Sequence, residues 1–588
     1  MDKQTRPALF SLILFGLSFH ILGAIAPAET VARWFLTDDA HFYFVVARNI
    51  VAGHGITFDG FGLSSGFHPL WMLVILPVFA AAQSDPILPL RLLIVLMGLL
   101  NAGTTYLVYR LLNRAIAPPL ALAGAALWAF TPAIHAISAR NGLESPLSAF
   151  LLAALLFAVT RLDDAEAPPL RHVLLVGLLG GLTFLARLDN IFEVVLLGLW
   201  LVTRRLPLRG LLFADLLAFY LAASLSLMLR LGLGDTFYQY ARGIFYLFLC
   251  ATAVRVPLYF FLGLYHQVDF TSPAWLKRAG LAALLGGALT SALMLALTAV
   301  GLGHGLPRIA LLYEAVLSAA ALFLTRGLAH GLGLLSLHLP PPLRWLRANW
   351  RGMFRDAAAT LGVLAVFLGA YLVWSMLTYG TPTPLSGQIK EWWGTLPDTA
   401  YGDPAREPLT FFGINPEDAK GPWALATGAL FALQPMRALP AVLLTWLAWA
   451  VVGFYLLKRH ADMLPRLAAQ GLLPLFAGGM FQYWTYTTRA YVGMRTWYWT
   501  AELLFTTLAA AVLLDMLLRF IKDPLYRQSA QTIASIGVAL GLALFFGLST
   551  SGLIRQNIAP GEQGWHLAHV RALEAHTARR RDWHDRRR

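Results

Sequence analysis

Residues 8–27 read ALFSLILFGLSFHILGAIAP, and residues 36–50, LTDDAHFYFVVARNI, follow closely behind them. The first stretch carries no charge over about twenty positions, the length a helix needs to cross a hydrocarbon core about 30 Å thick. It follows MDKQTRP as a secretion signal would, but it lacks a small-residue cleavage site and reads as a retained first span. Similar runs recur as far as Leu553, giving about a dozen spans. The 588 residues are 58% hydrophobic and only 13% charged, with a mean hydropathy of +0.63, against about 25% charged in a soluble domain. Because the apolar runs are continuous rather than alternating, a β-barrel is excluded. The expected fold is an all-α polytopic membrane protein with surface helices in its first extracytoplasmic loop.

The net charge of +14 does not point to nucleic acid, since Lys and Arg collect at span ends rather than on one soluble face. Lys3 and Arg6 place the amino terminus in the cytoplasm. Arg204 with Arg205, Arg344 to Arg355, Lys458 with Arg459, and Arg519, Lys522 and Arg527 mark further cytoplasmic loops. Counting spans from these puts Asp38, Asp39, residues 380–423, the loop around Tyr486 to Trp497 and the tail after Leu553 on the opposite face. FHPLWMLVILPVFAAA, residues 67–82, and the run from Pro86 to Leu112 cannot both cross fully, so one is re-entrant or half-crossing. Cys250, the single cysteine, lies in an apolar run and excludes both a disulfide and a thiolate metal site. The charged tail reads as a disordered end, with a short surface helix or binding of its terminal arginines to anionic lipid headgroups as the alternatives.

Asp38 and Asp39 open a segment in which Phe42, Val45, Val46 and Ile50 share a helical face, as a helix lying along a membrane surface would arrange them. Helix capping by Thr37 or Asp38 accounts for one carboxylate, not two. Two acids at a hydrocarbon boundary are functional candidates, one as the base that deprotonates a hydroxyl and the other orienting it. Downstream, His54 and His68 bracket a glycine-rich turn, and His68 stands at the membrane entrance beside Pro69 and Trp71.

DDAHFYFVVARNIVAGHG and GFHPLW together resemble the first extracytoplasmic loop of the GT-C glycosyltransferases, and are most similar to the terminal arabinofuranosyltransferase-like branch. SARNGLESPLSAF, with Arg140 and Glu144, resembles that family's Gly-hydrophobic-Glu segment. FLARLDNIFE carries Arg187 and Asp189; YGTPTPLSGQIKEWW resembles the family's Ser-Gly-x-x-Lys loop, with Gln388 and Lys390; and MRTWYW, with Arg495, Trp497 and Tyr498, resembles its late Arg-x-Trp-Tyr motif. His41 departs from the branch, which usually has Tyr there, and the large soluble carboxy-terminal domain of relatives is expected to be missing or much reduced. The resemblance implies a catalytic membrane module over residues 1–235, a variable membrane module over 236–554 and a short extracytoplasmic tail over 555–588. It further implies a polyprenyl-phosphate sugar donor, and an extracytoplasmic glycan, lipid or protein acceptor.

Such a donor brings an anionic phosphate to the interface, so the site needs cations there and a carboxylate beyond them. Lys390, Arg495, Arg140 and His68 are the candidate phosphate ligands, with Asp38 as first choice of base and Asp39 as second. Direct displacement would invert the anomeric centre. His54, Glu144, Arg187, Asp189, Gln388, Trp497 and Tyr498 are candidate substrate contacts. Structural readings stay open beside these: Arg187 pairing with Asp189, Glu144 pairing with Arg140 one helical turn away, and Arg495 with its aromatic neighbours as an interfacial anchor. Asp38, Asp39 and Glu144 could supply oxygen ligands to a divalent cation, although nothing in their spacing demands one, and no cofactor is assigned. A flippase or transporter of lipid-linked sugars, or a non-catalytic membrane subunit, is the alternative class.

Overall fold

The computed structural model describes residues 5–555 except 83–84, 164, 166–167, 335–339, 397–398, 400, 419 and 432–438, with backbone alone at 33–34 and 551–555. The charged tail lies outside the described residues from 556 onward. Contacts divide the chain into two compact units. The first comprises Met1–Ala154, Leu185–Arg187 and Ala510–Arg588, and the second Leu155–Phe184 and Leu188–Ala509.

The first unit opens with α1 (Thr5–Ile25), α2 (Ala28–Phe35), α3 (Asp38–Val51), α4 (Pro69–Ala82), α5 (Leu88–Leu112), α6 (Pro118–Phe130) and α7 (Pro132–Ser138). It also takes the start of α8 (Ser145–Asp163). The second unit holds α9 (Leu170–Ala186), α10 (Ile191–Val202), α11 (Arg209–Leu231), α12 (Asp235–Tyr240), α13 (Arg242–Phe261), α14 (Pro273–Ala299) and α15 (Arg308–Gly331). It continues through α16 (Pro342–Ala357), α17 (Val363–Tyr379), α18 (Leu385–Trp393), α19 (Pro408–Phe411), α20 (Ala424–Phe431), α21 (Leu439–Arg459), α22 (Leu464–Ala469) and α23 (Leu472–Thr488). α24 (Thr500–Leu518) ends in the first unit, which α25 (Pro524–Arg555) completes. No strand occurs among the described residues.

Among the described residues, eleven helical segments are long and apolar enough to cross a membrane, or twelve if α6 and α7 count as one bent span. The chain is a multi-pass membrane protein. α6 and α7 meet at 64°, because Pro132 lacks an N–H and disfavours a helical conformation at Thr131. α4 has 14 residues, about 21 Å of helix, too short for the hydrocarbon core. The crossing conflict thus resolves in favour of α5 as the full span.

In the first unit α1 packs on α5 and α6. Buried polar groups there find each other across helices: Thr5 Oγ1 and Tyr109 Oη lie 2.9 Å apart, and Trp128 Nε1 donates to Asn101 Oδ1 at 3.0 Å. α3 has two apolar faces. Its inner face buries Ala40, Tyr43, Phe44, Val46 and Ala47, while Phe42 stays exposed. Val46 therefore leaves the surface face expected from the sequence, because Ala40 and Phe44 pack against the loop at Gly142 and draw that side inward.

In the second unit two buried ion pairs join the spans. Arg326 Nη2 and Tyr265 Oη both donate to Asp215 Oδ2 at 2.8 Å, linking α15 to α11. Arg255 Nη2 donates to Glu314 Oε2 at 2.9 Å and Ser318 Oγ to Glu314 Oε1 at 2.7 Å, linking α13 to α15. Without such partners a charge in hydrocarbon would be costly. Cys250 is buried, as its apolar surroundings imply.

Candidate active site

α3 begins where the backbone N–H of Thr37 donates to the carbonyl of Asn141 at 3.0 Å and the Thr37 hydroxyl to the same oxygen at 3.2 Å. This clamp ties the start of α3 to the loop 139–144. Asn141 shapes that loop, its Oδ1 accepting from Leu143 N at 3.0 Å. Gly142 has φ +73°, and a Cβ there would stand 2.8 Å from Leu36 and 2.9 Å from Ala40. Only glycine fits so close an approach in this conformation.

Two functional candidates flank the clamp by one residue each. Asp38 is exposed, its Oδ1 accepting the Asp39 N–H at 2.9 Å. Thr37 occupies the cap position, but its hydroxyl is spent on Asn141 and makes no cap bond. Arg140 is half-buried, and among the described residues its guanidinium makes no ion pair or hydrogen bond.

Beneath them lies a buried polar network. The Glu144 carboxylate accepts from Tyr43 Oη at 2.9 Å and from Arg187 Nη1 at 2.7 Å, with His68 Nε2 at 3.6 Å. Tyr43 Oη in turn accepts the His68 backbone N–H at 3.1 Å. Burial, and then the Glu144 charge, push the Tyr43 phenol well above its ordinary range, so it remains a donor. The network fixes the loop ahead of α4 to α3. Tyr43 was missed in the sequence, although it stands one helical turn after Asp39. His54 lies past the carboxy-terminal end of α3, so 14 residues of helix, about 20 Å, separate it from Asp38.

The second unit carries its own cluster. Lys390 Nζ donates to Tyr498 Oη at 2.7 Å and faces the rings of Tyr491 and Tyr498 at 5.7 and 5.3 Å. Asp189 Oδ2 accepts from Gln482 Nε2 at 2.9 Å and Tyr486 Oη at 2.8 Å, and Gln482 also donates to the Tyr498 carbonyl. Tyr486 packs 4.6 Å from Tyr491 and 5.9 Å from Tyr498. Gln482, Tyr486 and Tyr491 escaped sequence reading because their partners are distant in the chain.

α18 is held here by an ion pair of 2.7 Å between Glu391 and Arg489. Burial pushes the Glu391 carboxyl up, while Arg489 and Arg242 pull it the other way. At Gly394 a Cβ would strike the Ala490 carbonyl at 1.7 Å. Ala490 itself has φ 54°, the one positive value at a described non-glycine residue. Gln388 spends its amide within its own loop, on Thr381 and Thr383. Arg495 is half-buried with no side-chain bond among the described residues, and Trp497 is half-buried beside it in a short helical turn. No group of three or more His, Cys, Asp or Glu side chains is placed to hold a metal ion among the described residues.

Residues 67–230 match the family described as dolichyl-phosphate-mannose-protein mannosyltransferase. No curated protein matches the chain. Among solved structures it is similar to the Archaeoglobus fulgidus oligosaccharyltransferase in its apo form, at 13% identity and a TM-score of 0.39 over 93% of this chain. It is also similar to the oligosaccharyltransferase AglB of that organism in complex with an inhibitory peptide and a dolichol-phosphate, at 13% identity and a TM-score of 0.37 over 94% of this chain. The chain spans only 56% of either structure's length.

Proposed function

We propose that the chain is a membrane glycosyltransferase of the GT-C type that moves a sugar from a polyprenyl-phosphate donor to an extracytoplasmic acceptor. The observation that carries this reading is the Thr37–Asn141 clamp, which sets an exposed carboxylate one residue to one side and, to the other, an arginine with no ion pair among the described residues. The family match over 67–230 supports it and falls wholly within residues 1–235, the proposed catalytic module. Residues 236–554 form the proposed variable module.

In the reaction Asp38 takes the proton of an acceptor hydroxyl, whose oxygen attacks the anomeric carbon. The bond from that carbon to the phosphate oxygen breaks, and polyprenyl phosphate leaves with the electron pair while the centre inverts. Arg140 hydrogen-bonds the leaving phosphate and offsets its growing charge. Asp39 orients the attacking group, and the Glu144 network, with His68 and Arg187, holds the loop in register. In the second unit Lys390 and Arg495 are the proposed phosphate ligands, with Asp189, Gln388, Trp497 and Tyr498 as substrate contacts.

The motifs are most similar to a branch described by an arabinofuranosyl donor, whereas the matched family is described by a mannosyl one, and the sequence itself does not identify the sugar. Purified protein should therefore be given both donors, with release of polyprenyl phosphate as the readout. Asp38→Asn should lose about 10²–10⁴-fold in rate while keeping its fold, and Asp39→Asn should lose less. Full turnover by Asp38→Asn would remove it as the base, and no turnover of either donor by the natural protein would remove the donor assignment.

A further inference from the structure

Between α3 and α4 the chain makes a small, stiff hairpin. Thr57 and Leu63 pair across it, and Ser64 N donates to Ile56 O at 2.9 Å. Asp59 Oδ1 accepts the backbone N–H groups of Phe61 and Gly62, both at 2.9 Å, and Gly60 turns the tip with φ +86°. From α3, Asn49 Nδ2 pins the base by donating to the carbonyls of Thr57 at 2.9 Å and Phe58 at 3.2 Å. A hairpin so fully bonded within itself holds its side chains where they are. Phe61 at the tip is 93% exposed, with Leu63 and Phe58 also exposed. Phe58 meets Phe42, on the outer face of α3, at 5.2 Å between ring centres, so the apolar patch is continuous with that face.

We propose that this hairpin is a wedge that enters the lipid surface, with Phe61 leading and Phe58, Leu63 and Phe42 resting on the headgroup boundary. The inference depends on the chain being a membrane protein and not on the glycosyl-transfer reading. Lipid is the occupant the observations favour for three reasons. α4, an apolar helix without a charged residue, begins at Pro69, and the eight residues from Phe61 can span at most about 29 Å. Both ends of the loop are tied to α3, by Asn49 at one end and by the Tyr43–His68 bond at the other, so the tip stays within that distance of the membrane entrance. Arg48, exposed on α3, provides the cation that interfacial elements carry beside their aromatic residues. Asp59 limits the depth. Its carboxyl is held below the ordinary range by the two N–H bonds, so it stays ionised at headgroup level.

The test uses the full chain in nanodiscs of phosphatidylcholine and phosphatidylglycerol. A nitroxide is attached at Phe61→Cys in a Cys250→Ala background, with exposed Thr395→Cys as the aqueous reference. Collision with dissolved oxygen and with a water-soluble nickel chelate reports depth. The wedge requires the label at 61 to be rich in oxygen and poor in nickel collisions, about 5–10 Å into the interface. Nickel access equal to that at 395 would overturn it. Shielding from both reagents would overturn it too, because a protein surface rather than lipid would then cover the tip.

Discussion

A single phenol, Tyr43, satisfies two groups at once, a buried carboxylate oxygen of Glu144 and the half-buried backbone N–H of His68. Tyr43→Phe would leave both without that partner, and a bond of this kind is worth about 1–3 kcal/mol when its loss strands a buried group. Thermal unfolding of the purified variant should show a destabilisation of that size, and an unchanged midpoint would mean that the loop before α4 is held elsewhere. Arg140 poses the opposite problem, a half-buried cation with no anion beside it among the described residues. Arg140→Gln should weaken binding of polyprenyl phosphate about ten- to a hundredfold, the worth of one charge-assisted hydrogen bond. Unchanged affinity in nanodiscs would return Arg140 to a structural role. At this scale the sequence was legible where chemistry is local: two acids placed just after a span stand out by themselves. It was opaque where partners are remote. Spacing offers Arg187 and Glu144 only neighbours such as Asp189 and Arg140, whereas the bond between Arg187 and Glu144 crosses 43 positions.

Among the elements, α11, α13 and α15 stand out because each carries a buried charge within two turns of a helix end. Arg326→Met would strand Asp215, at a cost of about 3–5 kcal/mol, while Arg326→Met with Asp215→Leu should recover most of that loss. Denaturation in mixed micelles would separate the outcomes, and equal losses in the single and double variants would show that the pair does not act as a unit. Nothing in the apolar periodicity foretold these pairs, because an Asp and an Arg in separate spans each read as an interruption. Element lengths were more legible. Charge placement allows only one full crossing there, so the sequence shows that one of α4 and α5 must be short, and the structure shows that it is α4.

For the molecule as a whole, composition alone was enough to read a helical membrane protein, because no soluble domain needs so many uncharged runs of spanning length. Which face each loop occupies rests on charge placement, and it can be tested directly. α16 and α17 form one continuous segment, Pro342–Tyr379, with Asn349 within it near one end and Ser386 just beyond the other. Single cysteines at these positions, in a Cys250→Ala background, should label oppositely with an impermeant maleimide in intact cells. Ser386→Cys should react and Asn349→Cys should not; reaction of Asn349→Cys alone would invert the topology.

The pairing of Asp215 with Arg326 also bears on biogenesis. The two lie 111 positions apart, so at about 5–20 residues per second Asp215 leaves the ribosome about 6–20 s before its partner exists. During that interval α11 must be held with an acid that nothing yet neutralises. Its mean hydropathy of 1.9 favours insertion, and the acid's nearness to the helix end lets it wait in the headgroups rather than in hydrocarbon. The order of synthesis thus becomes a constraint on where in α11 an acid can be tolerated.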